Sequence, residues 1–171
     1  MKLARNTIYF MLSACLLVAL TGMGCGSDDT ISLGESAVLD DTMSLTAVEY
    51  KISDNISCFN PCWPDGECVF HPEHWATYLW VYFEAENIGG TPHDNPFVGS
   101  LYKGVETAQY SHYVWCENFD TYTANTTLLP GELQEGWAIF QLPEDLEVSK
   151  VKVGIYEPDG MVEPPYWTLE P

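Results

Sequence analysis

The chain has 171 residues and carries 25 aspartates and glutamates against six lysines and arginines, a formal net charge of −19 at neutral pH. That balance excludes nucleic-acid binding, which depends on neutralising phosphates with basic side chains. Arg5 is the sole arginine, so bidentate recognition of phosphate esters or anionic headgroups falls away too. The first consequence of so much acid is solubility through mutual repulsion.

The N-terminal segment is the most informative part of the chain. Lys2 and Arg5 precede an apolar run from Ile8 to Leu20, within the roughly 7–15 residues of a secretory hydrophobic region and short of the about 20 that cross hydrocarbon. Gly22-Met23-Gly24 then leads to Cys25, and the whole is similar to a bacterial lipoprotein signal. The recognition box departs from the usual pattern in having Gly22 where leucine is preferred. Leu12-Ser13-Ala14-Cys15 fits better by letter, but lipidation there leaves a short hydrophobic region and an apolar mature terminus, whereas Cys25 is followed by the polar Gly26-Ser27-Asp28-Asp29. The chain is therefore divided into a signal peptide at 1–24, a lipidated Cys25 with its tether at 25–30, and one domain over 31–171, a size that supports a single core. A lipidated cysteine bears more than one acyl chain, as stable anchoring requires. The expected address is the cell envelope, with the lipid in a bacterial membrane and the domain facing the periplasm or the cell surface.

Within the domain, helical periodicity is hard to find and period-two alternation recurs. Ser36 to Leu39 and Met43 to Tyr50 read as strands. In the next, Leu79, Val81, Phe83 and Ala85 share one face, opposite Tyr78, Trp80, Tyr82, Glu84 and Glu86, the pattern of a half-buried strand. Leu101 to Tyr102 and Glu106 to Tyr110 are shorter candidates. Trp137 to Leu142 is apolar enough on both faces to be central. Val151, Val153 and Ile155 alternate with Lys150 and Lys152, and Tyr166 to Leu169 closes the series. Gly89-Gly90, Pro130-Gly131 and Pro158-Asp159-Gly160 punctuate these runs. Many short strands separated by such turns predict an all-β, antiparallel sandwich.

Between the second and third strands lies a proline- and cysteine-bearing insertion of about 54–75, predicted to be a stapled loop. It contains Cys58, Cys62 and Cys68, with Cys116 further on. Losing Cys15 with the signal and lipidating Cys25 leaves these four, an even set suited to an oxidising compartment, and four cysteines permit three pairings. A zinc site using the clustered cysteines with His71 or His74 is the rival, and the Cys58-x3-Cys62-x5-Cys68 spacing is unlike the tight pairs of zinc ribbons.

These strands resemble a known group, the telokin-like, immunoglobulin-type extracellular domains found in bacterial lipoproteins and secreted immunogenic antigens. The resemblance rests on Leu33-Gly34-Glu35 before the Thr46-Ala47-Val48-Glu49 strand, on Tyr82 to Gly89 with its asparagine and turn, on Leu129-Pro130-Gly131-Glu132 leading into Gly136 to Pro143, and on Val151 to Tyr156. It covers roughly Ile31 to Tyr156 and implies an immunoglobulin-like sandwich and an extracellular address, with no agreed chemistry. The insertion is this chain's own departure from the group.

The expected function is that of an anchored binding or interaction module with a protein or glycan partner. Trp63 and Trp75 are candidate ligand contacts on a rigid loop. Tyr113 and Trp115 belong to a second aromatic cluster around Cys116, and a disulfide from Cys116 to the insertion would bring both clusters to one end as a surface able to stack on sugar rings. A glycan-binding or glycan-processing accessory is therefore the alternative, and a periplasmic metal-binding protein is the second. His71 and His74 are weak metal candidates, because His71-Pro72-Glu73-His74 lacks the i, i+4 helical spacing of a metalloprotease. No Gly-x-Ser-x-Gly elbow and no EF-hand pattern occurs, and nothing in the sequence ties any of the many acids to a pocket, so neither catalytic activity nor a cofactor is expected.

Overall fold

The computed structural model describes residues 30–59, 67–108 and 119–169, and for residues 58, 59, 67 and 68 it describes the backbone alone. In chain order the strands are β1 (Thr30–Ser32), β2 (Ser36–Leu39), β3 (Met43–Ser53), β4 (Ile56–Phe59), β5 (Glu67–Phe70), β6 (Ala76–Asn87), β7 (His93–Asp94), β8 (Val98–Tyr102), β9 (Val105–Ala108), β10 (Thr127–Leu128), β11 (Leu133–Pro143), β12 (Val151–Tyr156) and β13 (Val162–Thr168). A single 3-10 turn, Val148–Lys150, is the helical element among the described residues.

One sheet has the order β11-β6-β3-β2 and the other β1-β13-β12-β8-β9. Neighbouring strands are antiparallel except β1, which runs parallel to β13 with Thr30 opposite Tyr166. The two sheets face each other across a core in which Leu45, Leu79, Val81, Phe83 and Phe140 from the first meet Val98, Val151, Val153 and Trp167 from the second. This is the expected sandwich, and Leu79, Val81, Phe83 and Ala85 point inward as their alternation predicts. The Phe83 ring meets the Trp167 indole edge to face at 6.1 Å. Trp167 Nε1 donates to the Glu35 carbonyl oxygen at 2.9 Å, which ties the C-terminal strand to the turn before β2.

Strand β3 changes phase partway. Met43, Leu45 and Ala47 face the core, but the ladder to β6 slips between Ala47 and Glu49. A bulge inserts one unpaired residue and so exchanges the faces of all that follow. Beyond it Tyr50 packs on the core, and Lys51, opposite Trp80, lies on the outer face.

The outer face of β6 departs from its sequence reading. Tyr78 and Trp80, expected on the exposed side of a half-buried strand, are 1% and 4% exposed. The insertion is responsible: its two flanks are the antiparallel strands β4 and β5 rather than an open loop, and Ile56 and Phe70 pack with Tyr78, Trp80 and Ile139 in a second apolar cluster. Phe119 and Trp137 complete it, each meeting Trp80 edge to face. The Lys51 ammonium lies 4.3 Å from the Trp80 ring and 4.2 Å from the Trp137 ring. Desolvation there lowers the pKa of Lys51, with Glu49 opposing the shift.

The free edge of β11 is covered by the backbone of Asp120 to Tyr122, which bridges in parallel to Trp137. Trp137 donates its N–H to Asp120 O at 2.9 Å, and Tyr122 donates its own to Trp137 O at 3.1 Å. Gly136 permits this approach, since a Cβ there would lie 2.4 Å from the Tyr122 nitrogen. Tyr122 thereby enters the core, 1% exposed, with its hydroxyl donating to Pro96 O at 2.9 Å. At the same end, buried Asn87 donates from Nδ2 to Thr91 O and Leu128 O, both at 2.8 Å. Its Oδ1 accepts from Gly89 N at 2.9 Å, so one side chain holds two turns.

Two measurements check this architecture. Ile56 is completely buried under the hairpin, so Ile56→Ala is expected to lose about 2–5 kcal/mol of unfolding free energy, read from the urea midpoint, although Ile56 lies outside the inter-sheet core. Burial also raises the Tyr122 phenol well above its ordinary pKa, whereas the unfolded phenol ionises near pH 10. The folded state binds the phenol proton more tightly than the unfolded chain does, so stability is intact below about pH 10 and falls as pH rises beyond it. Tyr122→Phe should cost about 1–2 kcal/mol at neutral pH through the lost hydrogen bond. It should also show a shallower alkaline decline, measured by denaturant titration at stepped pH.

Candidate binding site

The two ends of the sandwich carry recesses of opposite character. At one end, β8 and β9 are joined by a two-residue turn in which Lys103 and Gly104 both have positive φ, 50° and 79°. That is the left-handed pair a tight hairpin needs. This hairpin forms one wall of an apolar recess of about 290 Å³ whose other walls come from Trp75 and the end of β11. Tyr102 and Leu142 lie buried beneath, while Val105 and Trp75 stand 64% and 48% exposed above them. Gln141 and Thr107 supply polar groups at the rim, together with Lys103 and Asp145, whose charges are 3.6 Å apart. Hydrogen bonding to Tyr102 chiefly raises the Lys103 pKa, against desolvation and with help from the Asp145 carboxylate.

The indole of Trp75 is held in place. Its Nε1 donates to Glu73 Oε2 at 2.5 Å, and its carbonyl accepts from Glu144 N at 2.9 Å, which fixes the backbone against the chain leaving β11. Tyr102 secures the opposite wall: its hydroxyl accepts from Glu147 N at 3.1 Å and points to Asp145 O at 3.4 Å. An exposed aromatic face whose position is set before binding loses little conformational freedom on contact. Recesses with apolar walls and a few polar groups at the rim are the usual form of small-ligand sites.

The other end carries a recess of about 470 Å³ between the β2–β3 turn and Pro164–Pro165, lined among others by Asp40, His93, Asp94, Glu157 and Glu163. Because β1 runs parallel to β13, the chain enters the sandwich from this acidic end. The apolar recess lies at the far end, beside the β8–β9 turn.

Of the residues singled out in the sequence, Trp75 is in a recess. Trp63, Tyr113, Trp115, Cys62, Cys116 and Cys25 lie outside the described residues, as do the signal peptide and the tether before Thr30. Cys58 and Cys68 are on β4 and β5. His71 and His74 are exposed on the turn between β5 and β6, and no group of three metal-binding side chains occurs among the described residues. Tyr102, Val105, Thr107 and Pro143 escaped the sequence reading as site residues. Only Lys103-Gly104 gave a local sign of the turn that brings the first three beside Trp75.

No protein-family profile and no curated protein matches the chain. Its fold is similar to that of an uncharacterized β-sandwich protein from Clostridium difficile 630, with 14% identity, a TM-score of 0.52, and coverage of 82% of this chain and 92% of that one. A conserved hypothetical protein from Bacillus anthracis is similar at 15% identity and a TM-score of 0.50, over 77% of this chain and 92% of the other. These likenesses establish a β-sandwich shared with proteins of unassigned function.

Proposed function

We propose that the protein is an exported, lipid-anchored binding module of the telokin-like, immunoglobulin-type group, which presents the apolar recess around Trp75 to a ligand outside the cytoplasmic membrane. The observation that carries this reading is the polarity of the sandwich: the chain enters at the acidic end, and the recess opens at the opposite one. Four residues lie between Cys25 and Thr30, and the five Cα steps from one to the other reach at most about 17 Å. A lipid on Cys25 then holds the acidic end nearest the bilayer and turns the recess toward solution. The acid content of the domain offers no attraction to anionic lipid, so the acyl chains alone retain it. Cys25→Ser should move the protein from the membrane to the soluble fraction on cell fractionation, with the acyl mass lost from the N-terminal peptide. A wild-type N-terminus without lipid would refute the anchor and leave the recess reading standing.

A glycan is the second reading, favoured by the exposed indole of Trp75 with Gln141 and Thr107 beside it. A flat aromatic face packs on the apolar face of a sugar ring while amide and hydroxyl groups meet its hydroxyls. Glycan-array binding by the wild-type domain should fall by at least about tenfold in Trp75→Ala, equivalent to the roughly 1.4 kcal/mol of one stacking contact. The folded state should be unchanged, since Trp75 is half exposed. Binding that survives Trp75→Ala would place the ligand elsewhere on the domain.

A further inference from the structure

The geometry points to a disulfide between Cys58 and Cys68, closing the β4–β5 hairpin across its two strands. In that ladder Ile56 pairs with Phe70, Ser57 with Val69, Cys58 with Cys68 and Phe59 with Glu67. Directly opposed residues in an antiparallel pair have Cα atoms about 4.5–5.5 Å apart, inside the roughly 4.4–6.8 Å that a disulfide spans. Opposed residues also share one side of the ribbon, so neither strand has to turn to make the bond.

A second observation fixes the register. Ile56 and Phe70 are themselves opposed, and both pack on the Tyr78, Trp80 and Ile139 cluster. A slip of one residue would carry one of them off that cluster. The contact that covers the outer face of β6 therefore also keeps positions 58 and 68 opposed in the ladder, two residues from Ile56 and Phe70. Of the three pairings open to four cysteines, one contains this bond, and its other half joins Cys62 to Cys116.

Bond formation is an exchange with a disulfide oxidant. The two thiols give up two protons and two electrons, one sulfur–sulfur bond forms, and the oxidant's own disulfide is reduced to two thiols. The inference rests on the ladder and not on the proposed export, so it is tested in vitro. The full chain is equilibrated in a glutathione redox buffer, its remaining thiols are alkylated, and it is cleaved after Phe59 and Phe70 with chymotrypsin and after Glu67 with an acid-specific protease. These cuts put Cys58, Cys62 and Cys68 on separate peptides. The expected product is the Cys68-Val69-Phe70 peptide joined to the peptide ending at Phe59. Alkylated Cys58 or Cys68, or either of them joined to any other cysteine of the chain, overturns the assignment.

Discussion

Strand β6 carries large apolar side chains on both faces, and much of the architecture follows from that. Leu79, Val81 and Phe83 need one partner layer and Tyr78 and Trp80 another. The second sheet supplies the first, and the β4–β5 hairpin, with Phe119, supplies the second. A two-stranded hairpin is marginal in water by itself, so β4 and β5 hold their pairing because the sheet gives Ile56 and Phe70 a surface. The sheet in turn is dry on that side because the hairpin is there. Burying one aromatic ring removes about 150–250 Å² from water, at roughly 25 cal/mol per Å², a gain large enough to offset the ordering of several residues.

This dependence divides the insertion by role. Ile56 and Phe70 are structural, whereas Trp75, at the C-terminal limit of the segment, has left the hairpin and faces the recess formed with the β8–β9 turn. The cover over β6 and the exposed indole thus belong to one continuous segment whose base is fixed by Glu144 N on Trp75 O. A ligand seated against Trp75 would touch a position that the two-faced strand has already organised. In this way the recess gains rigidity from packing that lies outside it.

Where alternation and breakers coincide, the sequence was legible to the residue. The strand at Ser36–Leu39 has its predicted bounds, and Val151, Val153 and Ile155 fall on one strand as their alternation predicts. The misses each have a local cause. Pro164 and Pro165 hide the start of β13, because proline argues against a strand. Here the prolines sit where the ladder to β12 slips between Val153 and Ile155. The bulge in β3 conceals a change of phase that strict alternation does not foresee. Strands β4 and β5 are short, interrupted by cysteines, and paired only because a remote surface orders them. For the site, Trp75 was legible as an aromatic residue on a distinctive segment. Tyr102, Val105 and Pro143 were not, since the recess joins three separated stretches whose meeting depends on how the sheets stack.

The two apolar surfaces outside the main core have opposite fates, and the difference argues for the recess as the functional one. On the outer face of β6, Trp80 is 4% exposed, because Ile56, Phe70 and Phe119 pack around it and the Lys51 ammonium lies against both Trp80 and Trp137. Such a lysine stem covers an indole while its charge stays near water, and partial desolvation there lowers the Lys51 pKa. At the recess, by contrast, Val105 and Trp75 are 64% and 48% exposed above a buried floor, and the nearby cation, Lys103, lies by Tyr102 and Asp145 at the rim. The same kinds of residue that seal the sheet face are present at the recess, arranged so that the indole stays open.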